Sequence, residues 1–197
     1  NANGSVSAMV KQEASPWPVA AWLVLLIIVG AVTVFFLARS LDISDDPLLM
    51  PLDDTYIHFQ YARQIAHGDP MVYNPGDPAT SGGTSFLYPL LLAIGVTLGF
   101  SGWSLSSWAL ILGVIGFVAA VALVFAIGRK NPLRRTVGEN SVWAAWLMAL
   151  AFALCGPMIW AALSGMETAL FVLLTLLTLY AFQHENFRLI IAAAVLL

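Results

Sequence analysis

Long uncharged segments alternate with short polar segments along this chain. Residues 18–38 are uncharged and largely apolar, and about 20 such residues allow one helix to cross a bilayer. The segment is too long for the apolar core of a cleaved signal peptide. It therefore predicts a membrane-spanning first helix, with residues 1–17 as a polar cytosolic tail.

A shorter amphipathic pattern lies within the polar segment 39–85. Apolar residues recur every four positions from Ile57 to Ile65, and polar residues take the other faces. This spacing predicts a helix at about 54–67, for which Gly68 is a favourable C-terminal stop. We expect this helix to lie at the membrane interface.

The uncharged segment 78–128 leaves two interpretations open. It forms either two membrane spans, or an interfacial helix at about 86–100 followed by a single span at 103–128. Four of the eight Lys and Arg residues lie between positions 129 and 135, which places that loop in the cytosol by the positive-inside rule. A cytosolic N-terminus then allows only one returning span, so we favour the single span and an extracytoplasmic loop at 39–102.

The fold class expected from this pattern is an all-α polytopic membrane protein. Because the last apolar segment is much shorter than a span, we expect the chain to be the N-terminal part of a longer protein. The remaining predicted segments are a basic cytosolic loop at 129–140, a third span at 141–163 with a kink at Pro157, an outer turn and fourth span at 164–183, a cytosolic turn at 184–188, and the start of a fifth span at 189–197.

Composition agrees with a membrane protein rather than a soluble one. Hydrophobic residues make up 60% of the 197 residues and charged residues 10%, with a mean hydropathy of +0.86, whereas apolar residues make up about half of a soluble domain. The net charge of −3 argues against nucleic-acid binding, which needs a basic surface. The single cysteine, Cys155, has no partner for an internal disulfide.

Two acidic features stand out in so apolar a chain. Asp53 and Asp54 are adjacent at the start of the predicted helix; aspartate is a favoured N-cap, but neighbouring helical positions point about 100° apart, so one carboxylate can cap while the other faces a cavity. Glu167 is the only acid between Glu139 and Glu185. It is either an ordinary carboxylate at a helix start or a functional group beside the membrane. The predicted topology places both features on the outer face.

The residues around these acids resemble a known family. Residues 53–77, "DDTYIHFQYARQIAHGDPMVYNPGD", and 81–93, "SGGTSFLYPLLLA", resemble the first extracytoplasmic loop of GT-C-type membrane glycosyltransferases. Residues 164–171, "SGMETALF", are similar to a Ser-Gly-Leu-Glu-Thr segment of the bacterial branch that includes arabinofuranosyltransferases and mannosyltransferase-like enzymes. Tyr88 stands where tryptophan is common in that family. The resemblance covers about residues 18–185.

This resemblance implies a GT-C-like N-terminal transmembrane module in the bacterial plasma membrane. The implied activity is transfer of a sugar from a polyprenyl-phosphate donor to an extracytoplasmic glycan, lipid or protein acceptor. It implies Asp54 as the general base, Asp53 orienting it or holding a divalent cation (Mg²⁺, Mn²⁺ or Ca²⁺), and Glu167 as a second acid that accepts hydrogen bonds from acceptor hydroxyls. The residues expected to contact donor or acceptor are Tyr56, His58, Arg63, Asn74 and Thr84.

Ordinary roles compete with several of these assignments. Arg63 also suits a side chain that extends to lipid headgroups, His58 an exposed interfacial residue, and Asn74 with Thr84 a loop stabilised by turn hydrogen bonds. At the level of the whole chain, the alternative is a non-catalytic accessory or scaffold subunit of a larger membrane complex. A transporter fragment is less favoured because no predicted span carries an internal charge.

Overall fold

The computed structural model describes residues 17–43, 49–80, 82–130 and 141–196, which form eight α-helices and contain no strand. The predicted tail up to residue 16, most of the basic loop (131–140) and the final residue of the predicted fifth span lie outside the described residues. In chain order the helices are α1 (Trp17–Ile43), α2 (Asp54–His67), α3 (Leu87–Thr97), α4 (Trp103–Lys130), α5 (Ser141–Ala153), α6 (Gly156–Leu163), α7 (Thr168–Gln183) and α8 (Phe187–Val195).

Two of these helices are long and apolar enough to cross a membrane, namely α1 and α4. The pair α5 and α6 passes the same test as a third candidate only if the two helices count as one bent span. Helix α7 has 16 residues, so it extends about 24 Å, short of the roughly 30 Å hydrocarbon core. The described chain is therefore all-helical and has the character of a membrane protein.

The predicted third span is broken rather than continuous. Helix α5 ends at Ala153, α6 begins at Gly156, and the two axes differ by 56°. Pro157 lies in the first turn of α6, where its missing N–H costs no helical hydrogen bond. Because its ring would clash with the carbonyl of Ala153 in a continuous helix, the helix breaks just before the proline, which accounts for the kink expected at Pro157.

Helix α4 lies at the centre of the bundle and packs against α5, α6 and α7. A Cβ atom on Gly113 would lie 1.9 Å from the carbonyl oxygen of Ala162, so the close approach of α4 to α6 requires glycine at this position. At the other end of α4, Lys130 donates a hydrogen bond to the carbonyl of Gln183. Helices α4 and α7 are therefore parallel, with both C-termini at one end of the bundle.

Helices α2 and α3 pack together at the opposite end, against the first turns of α4. The indole N–H of Trp108 donates to the carbonyl of Leu91 at 3.0 Å, and Phe59, Leu92 and Leu105 form part of a buried cluster. Helix α3 has 11 residues, about 16 Å of helix, which is too short to cross a bilayer. Its length and position favour the single-span interpretation of residues 78–128.

Candidate functional site

The acidic pair lies at the N-terminus of α2, and its two carboxylates differ in their bonding. Asp53 is the N-cap, and its Oδ1 accepts a hydrogen bond from the backbone N–H of Asp54 at 3.0 Å. Asp54 is exposed in the first turn, and among the described residues its carboxylate has no hydrogen-bond partner. The Tyr56 hydroxyl accepts a bond from the N–H of Met50 at 3.0 Å, which fixes the chain entering the helix. Asp53 therefore has a capping role, and Asp54 remains available.

The turn formed by residues 164–167 connects α6 to α7 and docks onto α2 and α3. The Thr55 hydroxyl donates to the carbonyl of Ser164 at 3.0 Å, and the Tyr88 hydroxyl donates to the carbonyl of Gly165 at 2.7 Å. Both tyrosine and threonine are buried, so these bonds are made away from water. We call this segment the 164–167 turn.

Only glycine fits at the centre of this turn. Gly165 has a φ of 76°, in the left-handed region that residues with a Cβ rarely adopt. A Cβ atom there would lie 2.5 Å from Sδ of Met50 and 2.8 Å from Cγ2 of Thr55. The backbone of the turn therefore touches α2 and the segment before it directly, which sets the position of Glu167 two residues later.

Glu167 meets two side chains of the first loop at this contact. The Thr84 hydroxyl donates to Oε1 of Glu167 at 2.5 Å, and Nε2 of His58 lies 3.1 Å from Oε2. Because Thr84 gives its only proton to Glu167, its oxygen accepts from His58 Nε2 at 3.4 Å, which places a proton on that nitrogen. We call these three side chains the His58–Thr84–Glu167 cluster.

The cluster sets the charge of Glu167. The His58 ring has the largest effect and holds the pKa of Glu167 at about 2; burial opposes this, and the hydrogen bond from Thr84 lowers the pKa further. Burial, and then the charge of Glu167, raise the pKa of the nearby Tyr88 hydroxyl, so that it stays a hydrogen-bond donor. At neutral pH Glu167 is therefore an ionised hydrogen-bond acceptor and a weak base.

A cleft of about 220 Å³ opens beside Glu167. Polar side chains line one part and apolar side chains the other, so the cleft is amphipathic. Its lining residues are Thr84, Ser85, Glu167 and Thr168 on the polar side, and Leu170, Phe171, Leu174 and Leu196 on the apolar side.

Not all the residues singled out from the sequence join the cluster. Arg63 donates to the Gln60 side chain at 3.3 Å, and Asn74 donates from its side chain to Asp77 at 2.9 Å, an arrangement typical of a loop turn. Neither forms a hydrogen bond or ion pair with Glu167 in the part of the chain that the structure describes. Of the expected donor and acceptor contacts, His58 and Thr84 alone reach Glu167.

Sequence reasoning placed His58 on a polar face of α2, and the structure buries it. The residue is 1% exposed because α3 and the 164–167 turn cover that face of the helix. Thr55 and Tyr88 were not singled out as site residues, although both bind the turn. The one available signal was a tyrosine within an apolar helix, since a buried Tyr hydroxyl usually needs a partner.

The resemblance also implies a divalent cation, with Asp53 as the residue that would hold it. Across the described ranges, no group of three or more His, Cys, Asp or Glu side chains is placed to hold a metal ion. Asp53 already accepts a backbone N–H, and hard cations take about six or more oxygen ligands. We therefore derive no step through a cation.

No protein-family model matches this chain, and neither a curated protein nor a solved structure shows significant similarity to it.

Proposed function

We propose that this protein is a membrane glycosyltransferase, or the N-terminal part of one, of the GT-C type. It transfers a sugar from a polyprenyl-phosphate donor to an acceptor hydroxyl at the outer face of the bacterial plasma membrane. The observation that carries this proposal is the docking of the 164–167 turn onto the first loop, since these are the two segments whose sequences resemble that family. Their contact is made by hydrogen bonds of Thr55, Tyr88 and Thr84.

The bonding of the acids supports a division of roles. Asp54 is exposed and free of hydrogen-bond partners among the described residues, so it suits a general base that takes the proton of the acceptor hydroxyl. The acceptor oxygen then bonds to the anomeric carbon as the bond from that carbon to the phosphate oxygen breaks, and polyprenyl phosphate leaves. Asp53 caps the helix that carries the base. Glu167, with a pKa of about 2, is too weak a base for this step.

The amphipathic cleft supports a place for the acceptor. Its polar side offers the Glu167 carboxylate and the Thr84 hydroxyl, which can bind sugar hydroxyls, and its apolar side is lined by residues of α7 and by Leu196. A fixed negative charge at this wall disfavours the donor phosphate. We therefore assign the cleft to a hydroxyl-bearing acceptor and leave the donor phosphate to another surface of the loop.

The test is sugar transfer from a polyprenyl-phosphate donor by the full-length protein in nanodiscs. Asp54→Asn should reduce transfer about 10²–10⁴-fold with an unchanged unfolding temperature, because the amide keeps the size of the side chain but cannot take the proton. Asp53→Asn is the matched control: asparagine caps helices about as well as aspartate, so transfer should persist.

A second candidate is a non-catalytic scaffold subunit of a larger membrane complex. It is favoured by the capping bond of Asp53, which accounts for one of the two acids without any chemistry. An unchanged rate of transfer in Asp54→Asn would support this candidate over the enzyme. So would the absence of transfer by the wild-type protein with a range of donors.

A further inference from the structure

We propose that His58 is a positioning residue that holds the Glu167 carboxylate at the wall of the cleft and acts on a bound ligand only through Glu167. This role deepens the proposed function and rests on it for the nature of the ligand. The contact itself is a property of the fold. It differs from the direct donor or acceptor contact expected of His58 from the sequence.

His58 and Glu167 differ in burial, which indicates that Glu167 can contact a ligand and that His58 can only support it. His58 is 1% exposed and does not line the cleft, whereas Glu167 and Thr84 both line it. The side chain of Glu167 is 19% exposed. A ligand in the cleft therefore meets Glu167 and Thr84, with the imidazole behind them.

The imidazole is fixed from its other sides. Its ring makes an edge contact with Tyr88, with centroids 5.5 Å apart and planes at 85°. Tyr88 also bonds to the carbonyl of Gly165, so a single tyrosine holds both the histidine ring and the turn that carries Glu167. On a further side the backbone of Gly83 is close, because a Cβ there would lie 3.9 Å from Nδ1 of His58.

The two ring nitrogens of His58 have different surroundings. Nδ1 of His58 is buried and has no hydrogen-bond partner among the described residues, which is costly for a polar atom in a protein interior. Nε2, in contrast, bonds with the Thr84 hydroxyl at 3.4 Å. It also lies at ion-pair distance, 3.1 Å, from Oε2 of Glu167, a buried oxygen that has no hydrogen-bond partner among the described residues. A histidine kept only for packing would be replaced at less cost by an aromatic residue. The arrangement is explained if the Nε2–H group is needed beside the carboxylate.

The charged and titratable groups around His58 are few, which makes the contact measurable. From α3 the titratable neighbour is Tyr88 and from the 164–167 turn it is Glu167, while Thr84 of the loop is uncharged. On α2 itself, Asp54 and Arg63 are the nearest charged residues in sequence. A change at His58 should therefore be seen directly in the pKa of Glu167, which is the quantity to measure.

The experiment compares His58→Gln with His58→Asn in the full-length protein in nanodiscs. Both replacements are amides, but the glutamine N–H group extends to about the position of Nε2 and the asparagine amide ends near Nδ1. The protonated-carboxyl infrared band is measured between pH 7 and pH 4. Because the sequence has 11 Asp and Glu residues, each spectrum is compared with that of the same variant carrying Glu167→Gln.

We expect Glu167 to remain ionised over this range in the wild type and in His58→Gln. His58→Asn should raise its pKa by about two units, because burial then acts without the imidazole N–H beside the carboxylate, so that a protonated band appears near pH 4. His67→Asn, at the exposed histidine of the same helix, should resemble the wild type. If His58→Asn does not fold, His58→Phe, which has an aromatic ring without either nitrogen, replaces it.

Equal titration of Glu167 in the Gln and Asn variants, with both folded, would overturn the proposal, and so would an equal effect of His67→Asn. Sugar transfer is not the readout, so a failure of the proposed glycosyltransferase function leaves this result intact. Conversely, if the protein transfers sugar but the pKa of Glu167 is the same in the wild type and in the His58 variants, only the positioning role is refuted.

Discussion

Replacing Gly165 by alanine should release the 164–167 turn from α2. The left-handed backbone of Gly165, with a φ of 76°, costs a residue with a Cβ about 1–2 kcal/mol. The new methyl would lie 2.5 Å from Sδ of Met50 and 2.8 Å from Cγ2 of Thr55. Met50 is flexible, but Thr55 is held by its bond to Ser164, and overpacking of this kind costs about 1–3 kcal/mol. Together the two effects amount to about 2–5 kcal/mol.

Gly76→Ala is the matched control for this experiment. Gly76 also has a left-handed backbone, with a φ of 88°, but a Cβ there would meet nothing within 4 Å. This variant should lose only the backbone part, about 1–2 kcal/mol. The assay is the thermal unfolding midpoint of each variant in nanodiscs, where each kcal/mol corresponds to roughly 2–4 °C for a chain of this size. Equal losses in the two variants would refute the docking of the turn onto Thr55 and Met50.

The remaining predictions concern pH and topology. Glu167 has a pKa of about 2 against an ordinary value of 4.5. Its ionised carboxylate therefore stabilises the fold above pH 4.5, and this contribution is lost as the pH falls towards 2. The contribution is about 1–2 kcal/mol after allowance for solvent screening. The difference in unfolding temperature between wild type and Glu167→Gln should therefore shrink over that range, and a constant difference would contradict the assignment. In a background lacking Cys155, an impermeant thiol reagent should label Asp77→Cys in intact cells and not Pro132→Cys, and labelling of both would contradict the single-span topology.

Local signals were sufficient to predict the helix that carries the acidic pair. Helix α2 begins at Asp54 and ends at His67, the bounds expected from the sequence, because an aspartate cap and a left-handed glycine mark its two ends. Gly68 has a φ of 95°, and its N–H closes the last turn on Gln64 and Ile65. Such signals involve neighbours in sequence, and no tertiary contact overrides them here.

The same local rules were less accurate at the end of α3 and at the bend before Pro157. Helix α3 was expected to extend to residue 100, but it ends at Thr97, since Gly99 adopts a left-handed φ of 97°. The bend expected at Pro157 is present, with 56° between α5 and α6, but the sequence predicted one kinked span and not two separate helices.

The contacts within the candidate site were beyond local rules altogether. The periodicity of α2 puts His58 on a polar face, and the burial of that face depends on a turn that comes much later in the chain. Thr84 and Glu167 are 83 residues apart. A single sequence contains the residue types for this contact but no information on their pairing. Glu167, His58 and Thr84 were therefore all named as site residues, but their contact with one another was not predicted.

The long separation of these partners has a consequence for biosynthesis. The contacts that hold the 164–167 turn join residues 77, 83 and 109 positions apart. At translation rates of about 5–20 residues per second, α2 and α3 are complete roughly 4–20 s before the segment that covers them has been made. During that interval the face of α2 that bears His58 is uncovered, and the first loop lacks the contacts with the turn that cover this face in the folded protein.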